Sequence, residues 1–306
     1  MTAAALAPSD AARLMKAASY ASVGVAAVLI AVKAGAYVAT DSAAMMASLV
    51  DSLLDIVASL VNLFALRHAL EPADSEHRFG HGKAEALAGL AQSAAIAGSS
   101  VFLLLEASER LLHPHAVQAG EIGIGVSLVA IVLTYALVIF QRHVAARTGS
   151  IVVSADSLHY VGDLLSNGAA ALAILLSVAF GIVHADGVFC GLIGLYILGG
   201  SWSIFRKSFD MLMDHELPEA ERRRIGALVL GHPEVKSFHD LRTRRAGTQI
   251  FIQIHVDLDP GMTLTRAHEI SDEVEARLCA AFPGAEVLIH QDPAGLPETR
   301  SSLAKN

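Results

Sequence analysis

Residues 43–66 read Ala43-Ala44-Met45-Met46-Ala47-Ser48-Leu49-Val50-Asp51-Ser52-Leu53-Leu54-Asp55-Ile56-Val57-Ala58-Ser59-Leu60-Val61-Asn62-Leu63-Phe64-Ala65-Leu66. The run is long enough for a bilayer-spanning helix, which needs about 20 apolar residues, yet it holds two carboxylates four residues apart. Further apolar runs of similar length are Leu14–Val38, Leu87–Leu112, Ile122–Phe140, Ile151–Val178 and Val188–Phe205. The first is too long for a cleaved signal peptide. Between them stand turn-forming or polar breaks: Thr40-Asp41-Ser42, the segment Arg67–Lys83, His113-Pro114-His115, Arg147-Thr148-Gly149 and Ala185-Asp186-Gly187. The expected fold class is an α-helical membrane protein with six transmembrane helices.

Composition agrees. The chain has 306 residues, 54% hydrophobic and 17% charged, with mean hydropathy +0.51; soluble domains run at roughly 45–50% apolar and about 25% charged. Aromatics are only 6%, so the excess is the small and branched mixture of packed membrane helices. Cys190 lies in an apolar run and Cys279 in a polar helical pattern, so neither a disulfide nor a cysteine-based zinc site is expected. Net charge is −8, and no Lys/Arg cluster suits nucleic acid as a partner.

The charge is unevenly distributed. Residues 1–209 carry 11 Lys+Arg and 14 Asp+Glu, and residues 210–306 carry 11 and 16. The last third therefore has the charge density of a soluble domain. Within it Pro218–Leu230 predicts an amphipathic helix, Val235–Arg245 and Thr248–Asp259 predict strands around a turn at Gly247, Thr265–Phe282 a second helix and Ala285–His290 a third strand. The order α-β-β-α-β makes a small α+β domain. Expected bounds are 1–209 for the membrane domain, 210–293 for the soluble domain and 294–306 for a flexible tail. Basic residues near helix ends (Arg13, Lys16; Arg67, Arg78, Lys83; Arg142, Arg147; Arg206, Lys207) place both termini on the cytoplasmic side.

The few ionisable groups inside the apolar runs carry the function. Asp51 and Asp55 share one face of the second span, and His159 and Asp163 share one face of the fifth. An ionisable group at mid-membrane costs at least about 2.5–3.5 kcal/mol, which makes each a functional-site hypothesis. Three carboxylates and an imidazole packed together would repel and stay unsatisfied. A divalent cation removes both problems, and three oxygens with one nitrogen suit tetrahedral Zn²⁺, ahead of Cd²⁺, Co²⁺ or Fe²⁺. A metal-free proton relay is the rival reading of such a set.

Leu49-Val50-Asp51-Ser52-Leu53-Leu54-Asp55, Phe79-Gly80-His81-Gly82-Lys83-Ala84-Glu85 and Ala155-Asp156-Ser157-Leu158-His159-Tyr160-Val161-Gly162-Asp163 strongly resemble the cation diffusion facilitator family, nearest its bacterial YiiP-like branch of ferrous-iron efflux proteins. The resemblance runs from the first span to about Asp292. It implies a homodimeric divalent metal/proton antiporter of the bacterial inner membrane, which exports zinc or a similar ion by alternating access and carries a metallochaperone-like cytoplasmic domain that binds metal and dimerises. By that likeness Asp51, Asp55, His159 and Asp163 form the transport site, with the imidazole marking the zinc- and cadmium-preferring members.

Asp74, His77 and His81 have spacings that a short turn brings onto one ion, and the resemblance makes them a second, cytoplasm-facing site with an open coordination position. His239, His255, His268, His290 and Asp292 resemble the family's binuclear zinc site in the cytoplasmic domain, where Zn²⁺ is regulatory or structural. His215 and His232 read as surface residues outside it. Lys83 and Asp214 match a pair by which the family is described as hinging the two halves of the dimer. The seven glycines Gly24, Gly35, Gly89, Gly98, Gly168, Gly191 and Gly194 are expected to allow close helix packing. No His-Glu-x-x-His, Gly-x-Ser-x-Gly or phosphate-binding motif occurs, so an enzyme is not expected. A membrane metal sensor would use the C-terminal histidines but has no need of intramembrane carboxylates.

Overall fold

Six long helices occupy the apolar part of the chain: α1 Pro8–Thr40, α2 Ala43–Ala69, α3 Lys83–Leu112, α4 Glu121–Thr148, α5 Ile151–Phe180 and α6 Ala185–Leu212. All six are long and apolar enough to cross a membrane. The computed structural model describes residues 6–113, 121–182 and 184–295. The chain divides into a unit of Ala11–Phe209 and a unit of Asp210–Asn306 with Met1–Asp10. Pro114 and His115 of the third expected break, and residues 296–306 of the expected tail, lie outside the described residues.

Each helix outruns the apolar segment that nominates it. A hydrocarbon core of ~30 Å takes about 20 residues, whereas α1 has 33 and α2 27. The extra turns carry polar residues such as Arg67 and His68 at the end of α2 and Arg147 at the end of α4. The breaks are sharp. Asp41, Gly149 and Gly181 all have positive φ, and Gly181 closes α5 in the left-handed conformation. The fifth break differs from expectation: Ala185-Asp186-Gly187 is already the first turn of α6. Asp186 is favoured there by the helix dipole and is paired with Arg110 of α3.

Phe64, Phe102, Leu128 and Trp202 are exposed, which in water would be a liability and in lipid is not. Inward, one apolar cluster joins Ile96, Leu137, Tyr160, Val161, Ile193 and Ile197, and another joins Met15, Ala18, Leu66, Val144 and Val153. Buried polar contacts fix the register of these helices. Ser22 lies 2.8 Å from Ser59, which lies 3.0 Å from the Tyr160 hydroxyl. Asn62 and Gln141 both donate to Asp156, at 3.1 and 2.6 Å, so one carboxylate ties α2, α4 and α5. In a medium without water, partners of this kind are obligatory.

Of the seven glycines, Gly89 and Gly194 are packing positions. A Cβ on Gly89 would stand 2.4 Å from Ser208 Oγ and 2.6 Å from Ile151 Cγ2, and one on Gly194 would stand 2.9 Å from Leu104. Gly24, Gly35, Gly98 and Gly168 have nothing within 4 Å, so the expectation of close packing fails for them.

The second unit is built from α7 Glu219–Leu230, β1 Ser237–Ala246, β2 Gln249–Leu258, α8 Leu264–Ala281 and β3 Ala285–Pro293. The sheet order is β1-β2-β3, with β1 antiparallel to β2 and β3 parallel to it. A parallel neighbour requires a crossover, and α8 provides it. Alternation in β2 sends Ile252, Ile254 and Val256 into a core with Ile225, Val229, Ile270, Val274 and Leu278. His232 is not a surface residue. It is buried after α7, where its Nδ1 accepts from the Glu234 N–H at 3.2 Å and its Nε2 lies 2.9 Å from Glu273. The ring thereby links the turn after α7 to Glu273 of α8. His215 is exposed, as expected.

Candidate metal centres

The intramembrane set forms where α2 and α5 approach. Asp55 is buried, and its Oδ1 lies 2.9 Å from His159 Nε2. Asp163, one turn further along α5, places Oδ2 3.8 Å from the same nitrogen. One ligand atom from each of Asp55, His159 and Asp163 lies within 4.8 Å of the other two, the spacing a single ion can draw together. Asp51 is on α2 one turn before Asp55, but its carboxylate is not part of this convergent group and is exposed. The structure thus brings together three of the four residues expected there.

Three buried ionisable residues have no role assigned from sequence, although Glu85 and Asp156 stand in the quoted motifs. Lys33 of α1 is buried and donates to Ser52 Oγ at 2.7 Å and to the Ser48 carbonyl at 3.1 Å, beside Asp51 in sequence. Its signal was present, since a lysine inside an apolar run is as conspicuous as an aspartate. Asp156 is the buried hub described above. Glu85, almost wholly buried, accepts from Ser150 Oγ at 2.5 Å and from the Ile151 N–H at 2.8 Å. It closes the N-terminus of α5, whose first N–H groups have no intrahelical partner. The start of α3 thereby holds the helix that presents His159 and Asp163.

In the loop between α2 and α3, the Asp74 carboxylate accepts from the N–H groups of Glu76 and His77 at 2.8 and 2.6 Å. These bonds, that of His77 foremost, hold its pKa below the ordinary carboxylate value. Asp74 Oδ2 lies 3.3 Å from His81 Nε2, and Oδ1 lies 3.5 Å from His77 Nδ1. Ligand atoms of Asp74, His77 and His81 all fall within 4.8 Å of one another. Gly80 turns the chain with φ 75°, which lets His81 fold back beneath the loop.

In the cytoplasmic unit, strand register does the work. His239 pairs with His255, which pairs with His290, and Asp257 pairs with Asp292, so three imidazoles lie in a row across the sheet. His255 Nδ1 lies 2.6 Å from Asp292 Oδ2, and His239 Nε2 lies 3.6 Å from the same oxygen. His239, His255 and Asp292 form the convergent group. Burial alone would raise the Asp292 pKa, but the hydrogen bond to His255 and the neighbouring imidazoles hold it below the ordinary value. His290 Nε2 lies 3.3 Å from Asp292 Oδ1. Strand β3 continues past His290, so Asp292 is held by the ladder rather than by a loop. His268 lies apart: on α8 it is exposed and sits 3.7 Å from Asp272.

Two carboxylates absent from the sequence reading stand next to this row. Asp257 lies 3.5 Å from His239, and Asp240, with φ 47° at a break in register, lies 3.9 Å from His255. A bulge re-aims side chains in this way, and no periodicity announces it. A cavity of about 260 Å³ opens here, lined by Asp240, Arg242, His255 and His290 among others. Cys190 and Cys279 are free thiols outside these groups.

Six spanning helices with a convergent Asp–His–Asp group between two of them, followed by a soluble domain bearing a histidine–carboxylate row, define an integral membrane protein that handles divalent metal ions. Residues 19–213 match the family profile described as cation efflux transmembrane domain, and residues 217–294 match that of the cation efflux protein cytoplasmic domain. The cation-efflux pump FieF of Shewanella oneidensis is 49% identical over 285 residues, covering 93% of this chain and 96% of the relative. That of Pectobacterium carotovorum is 47% identical over 293 residues, covering 94% and 96%. Among solved structures, the zinc form of CzrB shares 36% identity over 28% of this chain and 98% of its own, with TM-score 0.27. The metal-bound C-terminal domain of the CzcD transporter from Thermotoga maritima shares 29% over 27% and 100%, with TM-score 0.25. The chain belongs to the cation diffusion facilitator family of cation efflux transporters, and it is not an enzyme.

Proposed function

We propose that the protein exports Zn²⁺, with Cd²⁺, Fe²⁺ and Co²⁺ as lesser cargoes, from the bacterial cytoplasm across the inner membrane in exchange for protons. The observation that carries this reading is the convergence of Asp55, His159 and Asp163 from two spanning helices. Asp51, one turn away on the same face of α2, supplies the fourth ligand by a small movement of α2 against α5. An imidazole titrates near 6.5 and carboxylates near 4, so metal and protons compete for the same lone pairs. Deprotonated ligands facing the cytoplasm bind the ion. Facing a more acidic exterior they take up protons, and the ion leaves. The helices that hold the group then return protons inward by alternating access.

In this reading both termini are cytoplasmic and the protein works as a homodimer joined through residues 210–293. The loop centre (Asp74, His77, His81) and the sheet centre (His239, His255, Asp292 and His290, with His268 joining from α8) hold Zn²⁺ for regulation or assembly. In the loop, the Asp74, His77 and His81 ligand atoms lie within 4.8 Å of one another; in the sheet, a carboxylate oxygen lies 2.6 Å from His255 Nδ1. The donors are of the type Zn²⁺ takes. The test is zinc uptake into proteoliposomes under an imposed pH gradient. Asp55→Ala and Asp163→Ala abolish it; wild-type uptake in either variant would remove the site assignment.

A further inference from the structure

Beside Asp74, His77 and His81 stand two further donors with no part in that group, His68 and Glu71. His68 lies in the last turn of α2, and Glu71 follows two residues after that helix ends. Their Nδ1 and Oε2 atoms are 2.8 Å apart, and the His68 ring lies 4.5 Å from that of His81. Ligand atoms of His68, Glu71 and His81 fall within 4.8 Å of one another, the same spacing met by Asp74, His77 and His81. His81 therefore belongs to two sets of three donors. Its side chain is only 5% exposed. Its Nε2 faces Asp74 at 3.3 Å, while its Nδ1 is buried with no hydrogen-bond partner.

We propose that His68, Glu71 and His81 form a second divalent-cation position, contiguous with the first and pivoting on His81. Two imidazoles and one carboxylate are the donors Zn²⁺ and Cd²⁺ take, and three ligands leave the ion open to exchange. A buried ring nitrogen without a partner is unusual in a folded chain, and an ion beside it supplies what the protein does not. The exposed His68–Glu71 pair contributes little by itself, so exchanging it for metal contacts is nearly free. His81 stays fixed while the other two ligands change, which gives an ion a step from the loop to the end of α2, the helix that also carries Asp51 and Asp55. The inference rests on the loop being a metal centre but assigns residues outside that reading.

The experiment is equilibrium dialysis of the purified full-length protein against Zn²⁺ alone, with Co²⁺ absorption as a second readout. His68 and Glu71 are both exposed, so His68→Ala and Glu71→Gln fold normally, and His68→Tyr serves as a bulk-preserving control. In an Asp74→Asn/His77→Ala background the second position remains. Adding His68→Ala then removes about one further ion per protomer and changes the cobalt spectrum. If His68→Ala removes nothing from that background while Asp74→Asn/His77→Ala itself loses an ion, the second position is overturned and the loop centre stands. If none of these variants changes the metal content, both are overturned.

Discussion

Asp55 of α2 and His159 of α5 meet with Oδ1 and Nε2 2.9 Å apart, a contact that joins the two helices through potential ligand atoms. Imidazole is the softest donor of the set, and softer donors favour Zn²⁺ and Cd²⁺ over Mn²⁺. His159→Asp therefore shifts preference toward manganese and iron. A metal-uptake panel on reconstituted protein at fixed pH reads the shift. An unchanged order of metals would show that the imidazole does not set selectivity.

Glu85 is a positioning residue for α5. Glu85→Ala leaves Ser150 Oγ and the Ile151 N–H buried without their acceptor, at a cost of about 1–3 kcal/mol. Glu85→Gln keeps an acceptor oxygen and loses less. The expected order of thermal stability in detergent is wild type, Glu85→Gln, Glu85→Ala, with zinc transport falling in the same order although Glu85 touches no cargo. Equal stability of all three would mean that the contact does not hold the helix.

The contacts that α8 makes with the turn after α7 predict an acid sensitivity with a definite sign. Hydrogen bonds from His232 to Glu273 and from Arg266 to Glu234 hold both carboxyls below the ordinary value. A depressed folded pKa contributes stability that is fully present above the unfolded value, about 4.3 for Glu, and is lost as pH falls through the folded value. Glu273 is exposed and Glu234 half-buried, so the effect is modest. Amide exchange in residues 219–230 and 264–281 of the full-length protein quickens in Glu273→Gln relative to wild type at about pH 7, and the difference narrows as pH falls below about 4.3.

The fold was largely legible because its signals are local. Apolar runs of bilayer length and the alternation through Ile250, Ile252 and Ile254 are written along the chain. Helix ends were less so: apolar segments mark the hydrocarbon core, and Pro8, His68 and Leu212 continue their helices past it. The intramembrane Asp–His–Asp group was readable for the same local reason, since Asp55, His159 and Asp163 break a hydrophobic pattern. What escaped depends on tertiary pairing. Glu85 looks like one more charge at a helix start until Ser150 and Ile151 are seen against it, and His232 looks like a surface histidine until Glu273 closes over it. Asp240 reaches His255 only because the strand slips register at that point.

Zinc and proton flux measured together in one proteoliposome preparation, with a pH-sensitive dye enclosed, tests the central claim most directly. Zinc added on the cytoplasmic face is expected to drive opposed movements of zinc and protons, and Asp163→Ala to stop both. Proton movement that continues without zinc, or zinc movement at the wild-type rate in Asp163→Ala, would contradict it.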